Sequence, residues 1–346
     1  MYYAWKLVST LSILAAAVYV TVTSSSFLQS MGGAFLISLF WQQCGWLAHD
    51  FAHHQVFKNR TLNDYGVLFV GNFLQAFSLE WWKNKHNTHH AIPNLHETST
   101  DAHDGDPDID TLPFLAWSQK FIEKCKEGGS AASPAARFCV RNQAVLYFPI
   151  LFFARITWAL SSLAYAFQAN VSLFGSTEEK SVVLSSSNGA LRYPLLERIL
   201  LIAHYTWYFS LVFLSNSLPT ALCYIFVSQT FAGLLLAIAF GVGHNGMTVY
   251  DSEKRPGFCE LQVTTTRNVN DTFFVGWFMG GLHYQIEHHL FPFVPRHSLH
   301  KVRPLVEALC AKHGIKYHST GLLEGTVEIL SYLDKVSEGL KSFPAM

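Results

Sequence analysis

Residues 7–48 read LVSTLSILAAAVYVTVTSSSFLQSMGGAFLISLFWQQCGWLA and contain no Asp, Glu, Lys or Arg. A second charge-free run extends from Ile199 to Tyr250. Each run is about twice the length of one membrane-spanning helix, which needs roughly 20 apolar residues. Each also has a polar break near its middle. The runs therefore predict two helical hairpins with four spans, at about 5–23, 29–48, 197–215 and 219–243.

The composition of the 346-residue chain agrees with a membrane protein. Hydrophobic residues make up 50%, aromatic residues 15% and charged residues 14%, whereas a soluble domain carries about 25% charged residues. The formal net charge is zero, which gives no indication of a nucleic-acid partner. A large soluble core is the alternative, but its helices would be shorter and would carry a charged face.

The charged residues predict the orientation of these spans. The hairpin tips carry no charge, and the cationic residues all lie at the other ends of the spans. They include Lys6, Lys58, Arg60, Lys83, Lys85, Arg192 and Arg198. The positive-inside rule then places both termini and the segments 49–196 and 244–346 in the cytosol. The start resembles a signal peptide, but its apolar run continues further, so it is interpreted as a retained span.

The expected fold is an all-α integral membrane protein, with two hairpins and a cytosolic helical cap in one domain, 1–346. The apolar segment 142–170, interrupted by Arg155, is predicted to lie along the interface or dip into the bilayer. The stretches 128–136 and 185–189 read as loops. The tail after about residue 300 has the spacing of an amphipathic helix. The six cysteines form no CxxC pair and indicate neither a disulfide framework nor a zinc ribbon.

Three histidine clusters mark the predicted cytosolic side: HDFAHH at 49–54, HNTHH at 86–90 and QIEHH at 285–289. Donors at i, i+3 and i+4 share one face of a helix. Neutral imidazole suits zinc, copper, iron and nickel. The number of nitrogens exceeds what one four-coordinate zinc needs, so two metal ions, and two irons best of all, fit the clusters. A site rich in imidazole at a membrane face favours reaction with dioxygen, which zinc lacks the redox chemistry to perform.

The three boxes, in this order and flanked by two membrane hairpins, resemble those of the membrane fatty acid desaturases. Gln285 stands where most of that superfamily has histidine, a form typical of front-end desaturases. These enzymes insert a double bond between an existing one and the carboxyl end of the acyl chain. The flanking sequences WWKNKHNTHH, GDPDIDTLP, GHNGM and FMGGLHYQIEHHLFP are similar to that subfamily. The amino-acid sequence around the boxes most resembles that of Δ6 acyl desaturases.

The resemblance implies a diiron site. Its ligands would be His49, His53, His86, His89, His90, His288 and His289, with His54 and Gln285 at or next to the metals and His244 completing the set. His204 is interpreted as a hydrogen-bonded interfacial histidine. Seven further histidines are left outside the site: His96, His103, His283, His297, His300, His313 and His318.

Several neighbours of these ligands are predicted to support them. Asp50, Asn245 and Glu287 could accept the second imidazole N–H and fix ring orientation. The acidic run Asp104, Asp106, Asp108 and Asp110 is expected to do the same or to form a solvated loop. Three tryptophans could line an acyl tunnel or anchor the chain at the interface, Trp81, Trp82 and Trp277.

The resemblance also implies O2 as co-substrate, with electrons from cytochrome b5 and NADH-cytochrome b5 reductase. The sequence has no HPGG haem motif, so the cytochrome is expected to be separate or missing from this chain. It also has no GxGxxG fingerprint, so direct binding of NADH is not expected. The predicted substrate is a fatty acyl-CoA or a phospholipid-linked acyl chain, and the predicted location is the endoplasmic reticulum membrane.

Four other functions remain as alternatives. A sphingolipid Δ8 desaturase or a diiron lipid hydroxylase would use the same boxes. A membrane zinc hydrolase, such as a ceramidase-like protein, would need few ligands, no reductant and no oxygen. A non-catalytic membrane receptor or carrier would leave the clustered histidines without a purpose. Metal analysis and product analysis separate these functions.

Overall fold

The computed structural model describes residues 1–96, 105–127, 133–168 and 191–341, and this part of the chain is mostly helical. Its α-helices are α1 Tyr2–Val22, α2 Phe27–Ala52, α3 Arg60–Val67, α4 Leu79–Ala91, α5 Gln119–Glu127, α6 Pro134–Arg141, α7 Gln143–Leu151, α8 Ala154–Ala166, α9 Pro194–Ser215, α10 Leu218–His244, α11 Phe258–Thr264, α12 Phe273–Phe278, α13 Gln285–Leu290, α14 Leu299–His313 and α15 Leu322–Lys341. The described strands β1 Asn268–Val269 and β2 Ser319–Thr320 pair in parallel.

The observed helices can be compared with the helix and loops predicted outside the membrane spans. The amphipathic tail forms two helices, α14 and α15, instead of one. The loop predicted at 185–189 and residues 128–132 of the other predicted loop lie outside the described residues. The rest of that second stretch begins helix α6, where Pro134 occupies the first turn and the Ser133 hydroxyl accepts a hydrogen bond from the Ala136 N–H. Proline in a first helical turn costs no hydrogen bond, because its missing N–H would have had no intrahelical partner.

Three described helices are long and apolar enough to cross a membrane: α1, α9 and α10. Helices α7 and α8 are long and apolar enough to cross a membrane only when they are taken together, and the pair is bent by 59°. Helix α2 contains the predicted span 29–48 but is not in this set. It is less apolar because Gln29, Gln42 and Gln43 interrupt it, and the last two are buried inside the protein. The described part of the chain therefore has three to four candidate spans, as in a membrane protein, and α2 is less apolar than the three helices that qualify.

The chain forms two compact units. Within the described residues, unit 1 comprises 1–83, 151–168 and 191–238, and unit 2 comprises 84–96, 105–127, 133–150 and 239–341.

The core of unit 1 is an apolar cluster to which α2 gives the most residues, with others from α1, α3, the segment 68–75, the start of α4, α9 and α10. Gly33 lets α2 approach α1, since a Cβ there would collide with the Thr21 side chain. The Thr21 hydroxyl lies 2.9 Å from the Tyr224 hydroxyl, and the Tyr208 hydroxyl lies 2.6 Å from Ser228 Oγ. In each pair the two hydroxyls are hydrogen-bond partners, so neither is buried in the apolar interior without one.

A π-helix at 68–75 ends in unit 1 with its last carbonyls capped by side chains. The Phe73 carbonyl accepts from His204 Nδ1 at 2.9 Å and from Trp207 Nε1 at 3.1 Å. The Leu74 carbonyl accepts from Trp41 Nε1 at 3.0 Å, and the Gln75 carbonyl accepts from Arg155 at 2.8 Å. Carbonyls at a helix end have no partner within the helix. His204 therefore has the hydrogen-bonding role that the sequence predicted for it.

Buried Glu197 of α9 lies at the beginning of α4. Its carboxylate accepts hydrogen bonds from the Ser78 hydroxyl and, at 3.2 Å, from Asn72 Nδ2. The Ser78 hydroxyl in turn accepts from the Trp81 N–H at 3.2 Å. A carboxylate near a helix N-terminus is stabilised by the exposed N–H groups there. This contact holds the first turn of α4, the helix that carries the second histidine box.

Unit 2 assembles around a small core of Val263, Ile286, Val306 and Cys310. Buried Arg267 joins α10 to this core by donating to the carbonyls of Val242 and Asn245, and it forms an ion pair with Glu328 of α15. The Gly243 carbonyl accepts from the Arg267 N–H at 2.8 Å. The last turn of α10 is therefore fixed against the elements that carry the third histidine box.

Candidate metal centre

Helix α4 brings the histidines of the second box to one side of unit 2. The spacing i, i+3, i+4 projects His86, His89 and His90 from adjacent turns. The Nε2 atoms of His86 and His90 lie 3.0 Å apart, while the rings of His89 and His90 are 5.8 Å apart and nearly perpendicular. His89 therefore faces a different set of neighbours from the other two.

The short helix α13 supplies the third box. The His288 ring lies 4.7 Å from the His90 ring and 6.5 Å from the His86 ring. His86, His90 and His288 each offer a ligand nitrogen, and these nitrogens lie within 4.8 Å of one another. We call these three residues the first imidazole group.

A second imidazole group consists of His89, His244 and His289, whose ligand nitrogens also lie within 4.8 Å of one another. His89 Nε2 is 3.3 Å from His244 Nε2. His289 Nε2 is buried and has no hydrogen-bond partner among the described residues. Because a buried nitrogen lone pair without a donor is costly, this arrangement fits a bound cation.

Gln285 lies beside the second imidazole group. Its side-chain amide nitrogen is 2.6 Å from His244 Nε2. The close packing against Gly243, where a Cβ would come within 3.0 Å of Gln285, keeps the amide in place. Gln285 and His244, which the sequence placed in one site, are therefore brought together although 41 positions separate them.

Two polar side chains of unit 2 fix the rings of the second imidazole group. The Asp106 carboxylate lies 2.9 Å from His89 Nδ1 and also accepts from the Asn94 N–H at 2.7 Å. Gln262 Oε1 lies 2.8 Å from His289 Nδ1, and the Gln262 amide donates to the His90 carbonyl at 2.9 Å. Such contacts direct the opposite nitrogen, Nε2, toward a metal.

The acidic run contains both a residue that supports an imidazole ring and residues exposed to solvent, the two alternatives that the sequence left open. Asp106 is buried against His89, while Asp108 is partly exposed, 3.2 Å from Lys85 Nζ and 3.6 Å from His89 Nδ1. Asp110 is exposed, and Asp104 lies outside the described residues. Gln262 was not predicted, because a single glutamine in ELQVTTT carries no motif.

Two other predicted supports have different partners. Glu287 accepts from Asn268 Nδ2 at 2.7 Å and from the Tyr317 hydroxyl at 2.8 Å. Asn245 donates to the Tyr147 hydroxyl at 3.1 Å. Both side chains therefore stabilise the segments around α13 and α10. These contacts differ from the predicted ones, in which Asn245 and Glu287 accept hydrogen bonds from imidazole rings.

The first histidine box belongs to unit 1. His49 and His53, at the end of α2, are buried, and their rings are 4.5 Å apart. Each offers a nitrogen within 4.8 Å of that of the other. Asp50 Oδ1 lies 3.6 Å from His49 Nδ1. The edge of Trp82 contacts both rings, at 5.5 and 5.4 Å, so this tryptophan packs on the histidine pair.

His54 has a different setting from that pair. It adopts φ +58°, which ends the helical conformation after His53, and its Nε2 lies 4.0 Å from Asp64 Oδ1. Asp64 is itself bound by Lys83 and Arg192, at 2.5 and 2.6 Å.

The histidines that the sequence left out of the site have their own surroundings. His96 Nε2 lies 2.6 Å from the Ser118 hydroxyl, His283 lies 3.2 Å from Asp271, and His318 lies 2.9 Å from Glu328. His297, His300 and His313 are exposed, and His103 lies outside the described residues. Of the tryptophans, Trp81 packs against Phe77 in unit 1 and Trp277 lies beside Phe274 in unit 2.

Burial and nearby carboxylates shift the pKa values of three histidines in the two imidazole groups. It lowers the pKa of His288 to about 3 and holds the pKa of His289 well below its usual range. Burial also acts to lower the pKa of His89, but the charges of Asp106 and Asp108 outweigh it and raise that pKa. Neutral imidazole is the form that binds a metal. A donor set of clustered nitrogens, with one carboxylate behind it, fits a borderline transition metal such as iron.

The family model described as fatty acid desaturase matches residues 26–321. The chain belongs to the fatty acid desaturase family. This result confirms the resemblance that the three boxes indicated.

Curated relatives give a finer picture of the similarity. The chain is 36% identical to an acyl-lipid (9-3)-desaturase of Physcomitrium patens, over 98% of this chain and 59% of the relative. It is 35% identical to a Δ6 fatty-acid desaturase of Caenorhabditis elegans, over 99% of this chain and 71% of the relative. It is 34% identical to a Δ8 fatty-acid desaturase of Euglena gracilis, over 100% and 76%. The chain thus spans between about six and eight tenths of the length of these relatives.

Proposed function

We propose that this protein is an O2-dependent front-end acyl desaturase. The observation that carries the proposal is the pair of imidazole groups in unit 2, six buried or half-buried nitrogen donors in a membrane protein of the desaturase family. Hydrolysis by zinc needs only about three protein ligands and one open position. Two groups of three favour a pair of metal ions and redox chemistry.

The proposed metals are two iron ions. The proposed ligands are His49, His53, His86, His89, His90, His244, His288 and His289, with His54 and Gln285 at or next to the metals. The support for the unit 2 members is their mutual distances and, for His288 and His289, a lowered pKa that keeps the ring neutral. The support for His49 and His53 is their buried pairing and the family to which the chain belongs.

When bound, the irons would supply the oxidising power, drawn from O2, that removes hydrogen from an unactivated methylene. The reaction balances if a CH2–CH2 pair gives up two hydrogens, a donor gives two electrons and two protons enter, so that O2 becomes two waters. Asp106 and Gln262 would hold the rings of His89 and His289 throughout, and the buried setting would keep bulk water from the oxidant.

The proposed regiochemistry is Δ6, on an acyl-CoA or phospholipid-linked acyl chain. The relatives' names support a front-end reaction but include Δ6, Δ5 and Δ8 desaturases at similar identity. A sphingolipid Δ8 desaturase is therefore the second candidate. The electrons would come from cytochrome b5 and its NADH-dependent reductase, with the active site on the cytosolic face of the endoplasmic reticulum.

Expression in a yeast fed with single fatty acids tests the proposal. Gas chromatography with mass spectrometry should reveal a new double bond six carbons from the carboxyl end of an 18-carbon polyunsaturated chain, and the purified protein should contain about two irons per chain. A new double bond only in sphingoid bases would support the Δ8 candidate. Hydroxylated lipids in place of alkenes, or one zinc without iron, would refute the desaturase proposal.

A further inference from the structure

Unit 2 exposes aromatic side chains on two neighbouring segments. Phe273 and Phe274 begin helix α12 and are 95% and 57% exposed. Phe291 and Phe293 follow helix α13 and are 47% and 67% exposed. Arg296 ties the second segment to the first by donating to the Gly280 carbonyl at 2.5 Å. We call these four phenylalanines the aromatic patch.

The aromatic patch is connected through a short segment to the end of the candidate membrane span α10. Helix α10 has 27 residues, so it is about 40 Å long and exceeds a hydrocarbon core of about 30 Å. Its last turn belongs to unit 2, where the Gly243 carbonyl accepts from the Arg267 N–H. From Arg267, the six residues to Phe273 span at most about 20 Å. The aromatic patch can therefore reach the membrane surface from which the end of α10 would emerge.

The charges around the aromatic patch are few and mostly engaged. The exposed Asp271 carboxylate accepts from the Tyr284 hydroxyl at 2.8 Å and lies 3.2 Å from His283 Nε2. Arg303 pairs with Glu307 at 2.8 Å. Lys301 is exposed on the following helix. A patch this close to neutral suits a lipid surface without a requirement for anionic headgroups, because its contribution comes from apolar area.

From these observations we infer that the aromatic patch is an interfacial anchor that inserts into the headgroup region of the membrane from which α10 emerges. Aromatic rings are enriched at this depth of a bilayer, where an apolar body can leave water. Exposed phenylalanines on a protein that never met lipid would be a liability for aggregation. The anchor would fix unit 2, and with it the two imidazole groups, at the membrane surface where an acyl chain is available. The inference concerns lipid contact and does not depend on the proposed regiochemistry or metal.

The test places a fluorophore at the aromatic patch in the full-length protein. The exposed or partly exposed Cys139, Cys223 and Cys259 are replaced by serine, and Phe273→Cys or Phe293→Cys is labelled with nitrobenzoxadiazole. The matched control is Lys312→Cys, an exposed position of α14 in the same unit. The variants are reconstituted in phosphatidylcholine vesicles with a quencher either on the lipid, near the headgroups, or in water as iodide.

The labels at Phe273 and Phe293 should emit at shorter wavelength than the Lys312 label, be quenched by the lipid quencher and be protected from iodide. The Lys312 label should show the opposite. Iodide quenching at both patch positions would overturn the inference. Protection from both quenchers would also overturn it, because a second copy of the chain or another part of the protein would then cover the patch. Because Phe273 and Phe293 are exposed, their replacement removes little packing, and elution of each labelled variant in detergent at the same volume as the parent protein shows that it stays folded.

Discussion

The buried charges of unit 1 and the buried imidazoles of unit 2 are surrounded in opposite ways. In unit 1, Glu197 is surrounded by hydroxyl and amide donors, and Arg155 is held by the Gln229 amide oxygen, the Gln75 carbonyl and the face of Trp41 at 3.7 Å. In unit 2, buried imidazoles face one another across distances near 3 Å. The first arrangement supplies a protein partner for each buried charge. The second brings ring nitrogens together in a buried setting, an arrangement that favours a cation among them.

The largest expected effect is loss of one member of the second imidazole group. His89→Ala or His289→Ala should abolish desaturation and reduce bound iron by about half or more. The reason is that the second imidazole group has three ligand nitrogens, and two would hold a metal ion too weakly. The protein should remain in the membrane fraction, because apolar helices drive insertion. His300→Ala, at an exposed position, is the control. Normal activity in the His89 or His289 variant would show that the group is structural, like the buried charges Glu197 and Arg155.

Gln285 sharpens the comparison because its side-chain amide lies 2.6 Å from His244 Nε2 in the second imidazole group. Gln285→Ile should lose nearly all activity, since an apolar side chain cannot replace the polar contact with His244. Gln285→His should keep part of it, because imidazole is a competent ligand. Product yield at matched protein levels is the measurement. Equal yields from the isoleucine variant and the parent would leave Gln285 without a chemical role.

Asp106 and Asp108 offer a matched pair, one buried behind His89 and one partly exposed. Asp106→Ala should weaken iron binding by roughly 10- to 100-fold, because the ring of His89 would lose the partner that orients it. Asp108→Ala should change iron binding far less. Iron retention during titration with a chelator measures both. Equal retention in the two variants would mean that Asp106 does not position the ligand.

The smallest expected effect is on stability alone. Glu197→Ala should reduce the stability of unit 1 by about 1–3 kcal/mol, since Ser78 and Asn72 would lose their acceptor. Iron per folded chain should stay unchanged, because the residue contacts no imidazole of the two groups. The apparent melting temperature in detergent and metal analysis of the folded fraction provide the two readouts. A loss of iron without a drop in melting temperature would contradict the purely structural role given to Glu197.

Much of the fold and of the candidate site follows from local sequence. Charge-free length predicts the long helices, because a helix in lipid must satisfy its own backbone and present an apolar surface. The i, i+3, i+4 spacing predicts shared faces, because helical periodicity is fixed. The family followed from the same three boxes, and the family match confirms it. Each of these features is carried by a continuous stretch of sequence and needs no knowledge of how distant stretches pack.

Tertiary structure decided which histidines meet and what holds them. His89 is separated from His90, its immediate neighbour, and joins His244, which is 155 positions away. Gln262 supports His289 from a segment with no motif, and Glu287 turns toward Tyr317 although it is adjacent to His288. Side-chain partners across such separations depend on how the helices pack, and helical periodicity cannot encode that packing. The sequence therefore determined the chemistry that is available, and the fold determined which groups of atoms can carry it out.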